Sequence, residues 1–535
     1  MLIGRENEIA TLHGLMSSDE SQFVAVYGRR RVGKTFLIRE AYKSHFVFQH
    51  TGTYGATRRQ QLSDFRESLY LAGMGKCAMP KTWSEAFGLL WNFLNTFPEN
   101  EEKKVIFIDE LPWMDTVKSN FVRSLDHFWN AWASTRKDLI LVICGSATSW
   151  IIDNVVMNYG GLHNRLTCKV LLQPFTLREC KQYCEAKNLG YKDRQILEAY
   201  MALGGIPYYW SFLKKGMSVA QNFDRIFFQP GGELTQEFDA LYASLFKKPR
   251  CHIAIITALA KKKQGLLRDE LLKASKLSDN ADFSKALQEL EQCGFIRKFT
   301  AIGKKTKDAT FQLIDNYTLF YFDFISENTN GDEHFWSSSA GSSIHYGWAG
   351  RAFERVCMQH INQIKAALGF SAVVSSVHSW SYKGTKDPVT GKTLTKGAQI
   401  DMLIDRNDDT INLCEMKYTN APYVITEEED NRIRNRRETF IRETGTEVLT
   451  TMITSYGLAP GGCKTLSPLM VVFIRELTSA LFDNTFVTDM DDFSIRQIHN
   501  ILINSYLQKR VHKRGISDKI YLKTKKRTTE ISTYE

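Results

Sequence analysis

The sequence lacks several features that would place the chain in a specialised class of protein. It has ten cysteines but no Cys-x-x-Cys pair, which argues against a zinc ribbon. No stretch approaches the roughly 18 apolar residues of a membrane-spanning helix, and Arg5, Glu6 and Glu8 interrupt any apolar run at the start. No internal repeat is visible. We therefore expect a cytoplasmic protein with reduced thiols, no leader peptide and no contact with a membrane.

The composition is that of an ordinary globular chain, but the chain is too long for a single hydrophobic core. Of its 535 residues, 43% are hydrophobic and 24% are charged. A chain of this length is expected to divide into roughly three to four domains. The formal net charge of +10 agrees with a polyanionic partner, although charge alone does not identify one.

A phosphate-binding loop of the form G-x-x-x-x-G-K-[ST] occupies residues 28–35. It follows a strand-like apolar run at 23–27 and precedes a helix-like run at 36–42, which is the context that this motif requires. Lys34 is expected to reach the β- and γ-phosphates, and the Thr35 hydroxyl to bind Mg²⁺. Successive backbone N–H groups can point at a phosphate, so we expect the whole loop to contact the nucleotide: Gly28, Arg29, Arg30, Arg31, Val32, Gly33, Lys34 and Thr35.

Two further apolar runs end in polar residues that complete a site for ATP. Asp109 and Glu110 follow the first run; we expect Asp109 to hold Mg²⁺ and Glu110 to activate the attacking water as a general base. Ser146 follows the second run and would lie beside the γ-phosphate if the two strands are neighbours; a simple turn is the alternative. Arg165 is either an arginine finger or a partner in a surface ion pair, and the sequence leaves both open.

Two short motifs give a resemblance to a known class of ATPase. Residues 3–9, which read IGRENEI, resemble the G-R-E-x-E-[LI] signature of STAND-type and archaeal-type AAA ATPases. Residues 204–207, which read GGIP, are similar to the G-x-P element of the lid in the same families. The resemblance covers residues 1 to about 215. It implies that Gly4, Arg5 and Pro207 border the nucleotide.

Changes along the chain predict several segments with different roles. Strand-like runs give way to helices in the later part of 1–235, which is expected to be an ATPase core with a helical lid. Three short helices and a β-hairpin at 240–325 fit a winged helix. Residues 326–349 are rich in Ser, Gly and Asn and are expected to be a linker. An α/β domain at 350–500 and a basic tail at 501–535 complete the chain.

A second constellation of charged residues lies in the distal α/β segment. Alternation along two strand-like runs places Asp401 on one face of the first, and Glu415 with Lys417 on one face of the second. A polar turn joins the runs, so a hairpin would bring the three side chains together. Two close carboxylates repel, and a divalent cation offsets that repulsion. The lysine can stabilise charge that develops on a phosphate.

This pattern resembles the D-x(n)-E-x-K core of the PD-(D/E)xK nuclease superfamily, whose members often add a glutamate from the preceding helix. Residues 350–356, which read GRAFERV, look like such a helix, so Glu354 is the implied metal ligand beside Asp401 and Glu415. The order of segments is also similar to an ATPase family of bacteria and archaea. The implied fold class is multidomain α/β: a P-loop NTPase parallel sheet with a helical lid, a winged helix-turn-helix, and a restriction-endonuclease-like α/β domain.

Both constellations on one chain predict an ATP-hydrolysing AAA-type ATPase, with ATP and Mg²⁺ as cofactors, coupled to a DNA-directed nuclease-like domain. The alternative is a regulatory STAND-type ATPase whose C-terminal domain only binds nucleic acid or a protein partner. A third interpretation is a nucleotide sensor that forms homo-oligomers. For the winged helix, the sequence leaves open both contact with DNA and packing on the lid.

Overall fold

The computed structural model describes residues 2–459 and the backbone of strand 469–473, apart from positions 101, 158–163, 247, 303–308, 340, 386–389, 391–392 and 394. All of these residues belong to one unit, Met1–Ser479. The predicted basic tail at 501–535 and the end of the domain predicted at 350–500 lie outside the described residues. Among the described helices, none is long and apolar enough to cross a membrane.

The N-terminal part alternates strands and helices, as the apolar runs predict. Its elements are α1 (Glu6–Gly14), β1 (Gln22–Tyr27), α2 (Lys34–Ala41), β2 (Phe46–Thr51), α3 (Arg58–Leu69), α4 (Trp83–Leu94), β3 (Lys104–Asp109), α5 (Leu111–Met114), α6 (Phe121–Ala131), β4 (Leu139–Gly145), α7 (Thr148–Ile151) and β5 (Cys168–Leu171).

The strands form a parallel sheet in the order β2-β3-β4-β1-β5. The residues of β3 and β4 are all buried, which explains why their sequences are continuous apolar runs rather than alternating ones. The predicted parallel α/β sheet is confirmed. Strands β2 and β5 were not among the predicted strands, because β2 carries the polar residues Gln49 and His50 and β5 is only four residues long.

A layer of helices follows the sheet and supplies the part expected to be a lid. It comprises α8 (Leu177–Ala186), α9 (Asp193–Leu203), α10 (Pro207–Trp210), α11 (Val219–Phe223) and α12 (Glu237–Leu245). Helix α8 begins with a capping box, in which Thr176 accepts a hydrogen bond from the Glu179 backbone and Glu179 accepts one from Thr176.

The next segment has three helices and a small antiparallel sheet. The elements are α13 (Pro249–Lys261), β6 (Leu266–Leu267), α14 (Arg268–Ser275), α15 (Ala281–Gln292), β7 (Ile296–Phe299) and β8 (Thr310–Leu313). The sheet order is β6-β8-β7, with both pairs antiparallel. Three helices and a hairpin are present, as predicted for this part of the chain, whereas the short strand β6 was not predicted.

The segment 326–349, which was predicted to be a linker, contains helices in the structure. After α16 (Asn316–Phe320), this segment holds α17 (Phe335–Ser339) and the first turns of α18 (Ser343–Gln359). Trp336 and Trp348 are each only 1% exposed. The Trp336 ring lies 5.1 Å from Phe320 and 4.9 Å from Phe324, measured between ring centres. The composition, rich in Ser, Gly and Asn, did not indicate this packing, which depends on a few large aromatic side chains among the polar residues.

The C-terminal part is a second α/β layer. Its elements after α18 are α19 (Ile361–Ala367), β9 (Ser375–Tyr382), β10 (Ala398–Arg406), β11 (Thr410–Lys417), α20 (Glu427–Thr444), β12 (Val448–Thr454) and β13 (Leu469–Phe473). The sheet order is β13-β12-β11-β10-β9. Strand β10 pairs antiparallel with β9 and β11, whereas β12 pairs parallel with β11 and β13.

One hydrophobic core runs through most of the described chain. It includes Val24 of β1, Phe175 before α8, Leu290 of α15, Phe353 of α18 and Met416 of β11. A separate cluster covers the other face of the N-terminal sheet, where α3, α4 and α6 pack. The segments predicted as separate domains therefore share a core.

Candidate functional site

The phosphate-binding loop connects β1 to α2 in a conformation that needs its glycines. Gly28 has φ +140°, and a Cβ there would lie 2.4 Å from the Leu172 carbonyl oxygen. Gly33 has φ +91° and immediately precedes the first turn of α2. The loop therefore places a helix N-terminus and its free N–H groups at the carboxyl edge of the sheet, where an anion is favoured.

Lys34 is held inside the loop by main-chain acceptors. Its side chain is buried, at 6% exposure, and Nζ donates hydrogen bonds of 2.9 Å to the carbonyl oxygens of both Gly28 and Arg29. These bonds offset the cost of burying an ammonium group. They also hold the positive charge at the rim of the loop, where a phosphate would sit.

The two acids predicted after β3 lie beside the loop. Thr35 Oγ1 donates to Asp109 Oδ2 at 2.7 Å, and Asp109 Oδ1 accepts from the Glu110 backbone at 2.8 Å. Glu110 adopts a left-handed backbone conformation with φ +48°. That conformation turns the chain out of the strand and directs the Glu110 side chain toward the next strand rather than into the sheet.

Ser146 meets the Glu110 carboxylate. Strand β4 lies between β3 and β1, so Ser146 follows β4 at the same edge of the sheet as Glu110. Its Oγ lies 2.9 Å from both carboxylate oxygens, and its backbone N–H donates to Oε2 at 3.2 Å. The strand adjacency on which the Ser146 prediction depended is present, and the serine contacts the candidate base directly.

A pocket of about 550 Å³ opens beside these groups. Of the residues predicted from sequence, it is lined by Arg5, Arg30, Arg31, Val32, Gly33, Lys34, Thr35, Glu110, Ser146 and Pro207. Gly4, Gly28, Arg29 and Asp109 belong to the adjoining elements. Other lining residues that the sequence did not single out are Leu2, Ile3, Phe36, Leu37, Phe175, Tyr183, Lys187, Tyr208 and Ser211. Four of these residues lie on or next to the lid helices α8 and α10 and belong to no sequence motif: Tyr183, Lys187, Tyr208 and Ser211.

Arg5 fixes the N-terminal segment against the lid. It is 4% exposed and donates to the Gln173 carbonyl at 2.8 Å, while its guanidinium lies 4.7 Å from the centre of the Phe175 ring. Glu179 lies 3.5 Å away and supplies a counter-charge. Arg165, in contrast, is exposed on the segment before β5 and is not among the described residues that line the pocket.

Two loop arginines pair with acids far along the chain. Arg29 pairs with Asp315, which follows β8, and Arg31 pairs with Glu237, the first residue of α12. The partner carboxylates are buried, at about 4% exposure each. Neither acid could be predicted from the sequence, since neither belongs to a motif and each lies more than 200 residues from its arginine.

The second predicted constellation lies on the β10–β11 hairpin. The register pairs Met402 with Cys414, so Asp401 and Glu415 lie at adjacent positions at the open end of the hairpin. A bulge between Ile400 and Leu403 interrupts the pairing of β10 with β9 at Asp401. Asp401 is exposed and accepts from Gln399 Nε2 at 2.7 Å. Glu415 is 9% exposed.

Helix α20 supplies partners that the sequence analysis did not predict. Arg436 pairs with Glu415 Oε1, and Lys417 Nζ lies 3.7 Å from Glu415 Oε2. Lys417 Nζ also lies 2.6 Å from Glu429 Oε1. Glu415 and Lys417 are thus together on the face of the sheet that α20 covers. The charged run of α20 is a possible sequence signal for these partners, but it also fits a solvated helix.

Glu354 is placed on α18, which packs against the same sheet. Burial, with the Asp401 carboxylate nearby, raises the pKa of Glu354 to about 7. Among the described residues, however, no group of three His, Cys, Asp or Glu side chains is placed to hold a metal ion. The predicted set of Glu354, Asp401 and Glu415 is therefore not assembled as one ligand group, and Glu415 is instead paired with Arg436.

The N-terminal site belongs to a recognisable class of ATPase domain. Residues 2–213 match the model of an ATPase domain family found predominantly in Archaea. Together with the loop, the acids after β3 and the serine after β4, this match defines residues 2–213 as an archaeal-type ATPase domain. The protein is a P-loop ATPase.

Relatives extend over more of the chain than this domain. An uncharacterized protein of Methanocaldococcus jannaschii is 25% identical over 435 residues, which span 78% of this chain and 88% of the relative. Among solved structures, the Walker-type ATPase of Pyrococcus abyssi is 17% identical, with a TM-score of 0.42 over 59% of this chain and 95% of its own. The ORC2 protein of Aeropyrum pernix is 12% identical, with a TM-score of 0.38 over 64% and 96%, respectively.

Proposed function

We propose that this ATPase is coupled to a C-terminal domain that cleaves DNA with the help of Mg²⁺. The observation that carries the proposal is the placement of Asp401, Glu415 and Lys417 at the open end of one antiparallel hairpin, with Glu354 on the helix packed against it. The order of elements from α18 through β9, β10, β11 and α20 to β12 also fits the nuclease-like fold that the sequence resembles.

At the ATP site, each contact supports a role. Lys34 would exchange the carbonyls of its own loop for the β- and γ-phosphates, and Thr35 with Asp109 would hold Mg²⁺, which would offset the charge of those phosphates. Glu110 takes a proton from the attacking water, and its bond to Ser146 makes it sensitive to what binds beside β4. Oxygen ligands of this kind suit Mg²⁺. Gly4, Arg5 and Pro207 border the rest of the nucleotide.

At the hairpin, the chemistry of the side chains fits a divalent cation. Burial, and after it the nearby Asp401 carboxylate, raises the pKa of Glu354, and a bound cation would offset both effects. Asp401, Glu415 and Glu354 would hold the metal, which would supply an activated water. Lys417 would bind the phosphate and stabilise its developing charge. Arg436 would have to release Glu415 for this to happen.

The segment 249–313 supports a link to DNA because of where it lies. Its element order and its β6-β8-β7 sheet fit a winged helix. Gln264 donates to Gln399 at 3.1 Å, and the Ile302 N–H donates to the Ser379 carbonyl at 3.3 Å. These contacts place the hairpin of this segment beside strands β9 and β10. DNA held by the segment would therefore pass close to Asp401.

A cleavage assay tests the proposal. Purified protein is incubated with plasmid or linear DNA, Mg²⁺ or Mn²⁺, and ATP, and the products are resolved on a gel. We expect Glu415→Ala and Lys417→Ala to abolish cleavage. Asp408→Ala is a matched control, because Asp408 is an exposed carboxylate in the turn at the other end of the same hairpin. Equal cleavage by wild type and Glu415→Ala would refute nuclease function for those substrates.

A second candidate is a regulatory ATPase whose C-terminal domain binds nucleic acid or a protein partner without cleaving. The pairing of Glu415 with Arg436 favours it, because a guanidinium already neutralises the central carboxylate. Calorimetric titration with Mn²⁺ separates the two. If wild type binds the ion no more tightly than Asp401→Ala, the binding-only function is preferred.

A further inference from the structure

The first arginine of the phosphate-binding loop is anchored outside the ATPase domain. Arg29 is 8% exposed and pairs with Asp315 Oδ1. Its guanidinium also lies 4.5 Å from the centre of the Phe295 ring. Both partners lie beyond residue 213, where the match to the ATPase domain ends. A residue of the nucleotide-binding loop is thus held by the segment that carries the small antiparallel sheet.

Asp315 is itself held in place. It is 4% exposed, and its second oxygen, Oδ2, accepts hydrogen bonds from the backbone of Thr318 at 2.9 Å and from the Thr318 hydroxyl at 2.5 Å. These bonds cap the N-terminus of α16. The neighbouring Asn316 donates to the Tyr200 carbonyl of α9 at 2.9 Å. The carboxylate that holds Arg29 therefore cannot shift without moving α16 and the lid.

Arg29 also contacts Lys34, the lysine that is expected to bind phosphate. Its carbonyl oxygen accepts a hydrogen bond of 2.9 Å from Lys34 Nζ. The same residue thus uses its side chain to contact Asp315 and its main chain to contact Lys34. Arg29 therefore links the Asp315 carboxylate to the Lys34 ammonium group through two direct contacts.

We propose that Asp315 is a positioning residue for ATP turnover, acting through Arg29 on the phosphate-binding loop. It touches neither nucleotide nor water in this role. Its carboxylate fixes Arg29, and Arg29 fixes the loop geometry from which Lys34 engages the phosphates. The pairing of Arg31 with Glu237, whose Oε1 also accepts from the Tyr209 hydroxyl at 2.8 Å, holds the far side of the loop in a similar way.

The substitution Asp315→Asn in the full chain tests this role, because the one amide oxygen can retain the helix cap while the charge and the acceptor that faces Arg29 are lost. We expect kcat/KM for ATP to fall about tenfold or more, mainly in kcat, since small displacements of positioned groups are costly to turnover. Asp315→Glu, which keeps the carboxylate, should recover most of the loss. Activity is measured by phosphate release at a temperature where circular dichroism shows each variant folded.

Asp138→Asn is the matched control. Asp138 is a buried acid of the same chain, with ion pairs to Lys104 at 2.8 Å and Arg136 at 2.6 Å, but it precedes β4 at the opposite edge of the sheet. It should leave kcat/KM unchanged. A folded Asp315→Asn variant with wild-type kcat and KM would overturn the proposal, and so would an equal loss in Asp138→Asn.

A measurement on the wild type keeps the proposal testable if Asp315→Asn does not fold. If Asp315 affects how the loop binds nucleotide, then by the reciprocity of coupling a bound nucleotide also affects Asp315 and the helix α16 that it caps. A slowly hydrolysed ATP analogue is therefore expected to slow hydrogen exchange at the backbone amides of 318–320. Exchange in α16 that does not change with the analogue would contradict the role assigned to Asp315.

Discussion

Among single residues, the side chains predicted to form the ATP site contact one another or the main chain of their own loop. Lys34 is bonded to carbonyls of its own loop, Thr35 to Asp109, and Glu110 to Ser146. These contacts bring the predicted phosphate-binding, metal-binding and general-base residues together at one edge of the sheet.

Replacing Glu110 by glutamine should separate those two steps. We expect Glu110→Gln to lower kcat by about 10²- to 10⁴-fold, because an amide cannot accept the proton of the attacking water. Affinity for ATP should change little, since glutamine preserves the size of the side chain and can still bond to Ser146. Phosphate release measures the first effect, and equilibrium binding of a fluorescent ATP analogue measures the second.

The control for this experiment is Glu85→Gln, which alters an exposed glutamate in the first turn of α4. It should behave like wild type in both assays. A Glu110→Gln variant that keeps most of its turnover would show that another group activates the water.

At the scale of elements, the segment after the small antiparallel sheet is the main departure from what the sequence indicated. Helix α17 and the start of α18 occupy the stretch expected to be a linker. The Trp336 backbone N–H donates to Asp224 Oδ1 at 3.0 Å, and its ring packs against Trp348 at 5.2 Å. The segment therefore joins α18 firmly to the helices around α11.

Trp336→Ala is expected to destabilise the protein by about 3–5 kcal/mol, the usual cost of removing a buried aromatic side chain. The cost arises because the cavity cannot be refilled by the surrounding rings. Ile344→Ala, in the same segment but 71% exposed, should change the unfolding free energy by only about 0.5 kcal/mol or less. Denaturant unfolding of the two variants gives the comparison, and similar effects would restore the linker interpretation.

At the scale of the whole molecule, the ATPase domain and the C-terminal layer are joined through buried polar contacts as well as apolar packing. His360, at the end of α18, lies 183 positions from Leu177 in sequence, yet its Nε2 accepts a 3.0 Å hydrogen bond from the Leu177 backbone. Its Nδ1–H donates to the Val356 carbonyl at 2.8 Å. The ring is thus required in its neutral form, since Nε2 must remain an acceptor.

This contact makes stability depend on pH in a defined window. Burial lowers the pKa of His360 from its ordinary 6.5 to about 4. The unfolded chain binds a proton near pH 6.5 and the folded protein does so only near pH 4, so the unfolding free energy falls as the pH drops through that window. Within the window, His360 lowers the unfolding free energy by at most about 1.4 kcal/mol for each pH unit of acidification. Above pH 6.5 the group is neutral in both states and this loss of stability is absent.

In His360→Gln, the slope of the unfolding free energy against pH should correspond to about one fewer proton bound on unfolding. Urea unfolding at a series of pH values measures this slope. The variant is not expected to abolish the dependence. Burial also lowers the pKa of His50 to about 4, so His50 continues to contribute in the variant. Identical slopes in wild type and variant would show that His360 is not the titrating group.

Features that depend on residues close together in sequence could be predicted, whereas contacts between residues far apart in sequence could not. The loop at 28–35, the acids after β3 and the alternation along β10 and β11 are local patterns, and they indicated the strands and helices well. The pairs Arg29–Asp315, Arg31–Glu237 and Arg436–Glu415 could not be anticipated. Opposite charges occur throughout a chain with 69 basic and 59 acidic residues, and only the fold selects which of them meet.

A phosphate-binding loop on a parallel sheet could be predicted from local sequence, because the glycines, the start of the helix and the apolar strands all lie within or close to the motif. The residues that hold this loop and those that face the distal carboxylates became visible only in the fold. Burying a charge is tolerated only with a partner. The partner is therefore chosen by long-range packing, which brings Asp315 to the loop and Arg436 to Glu415.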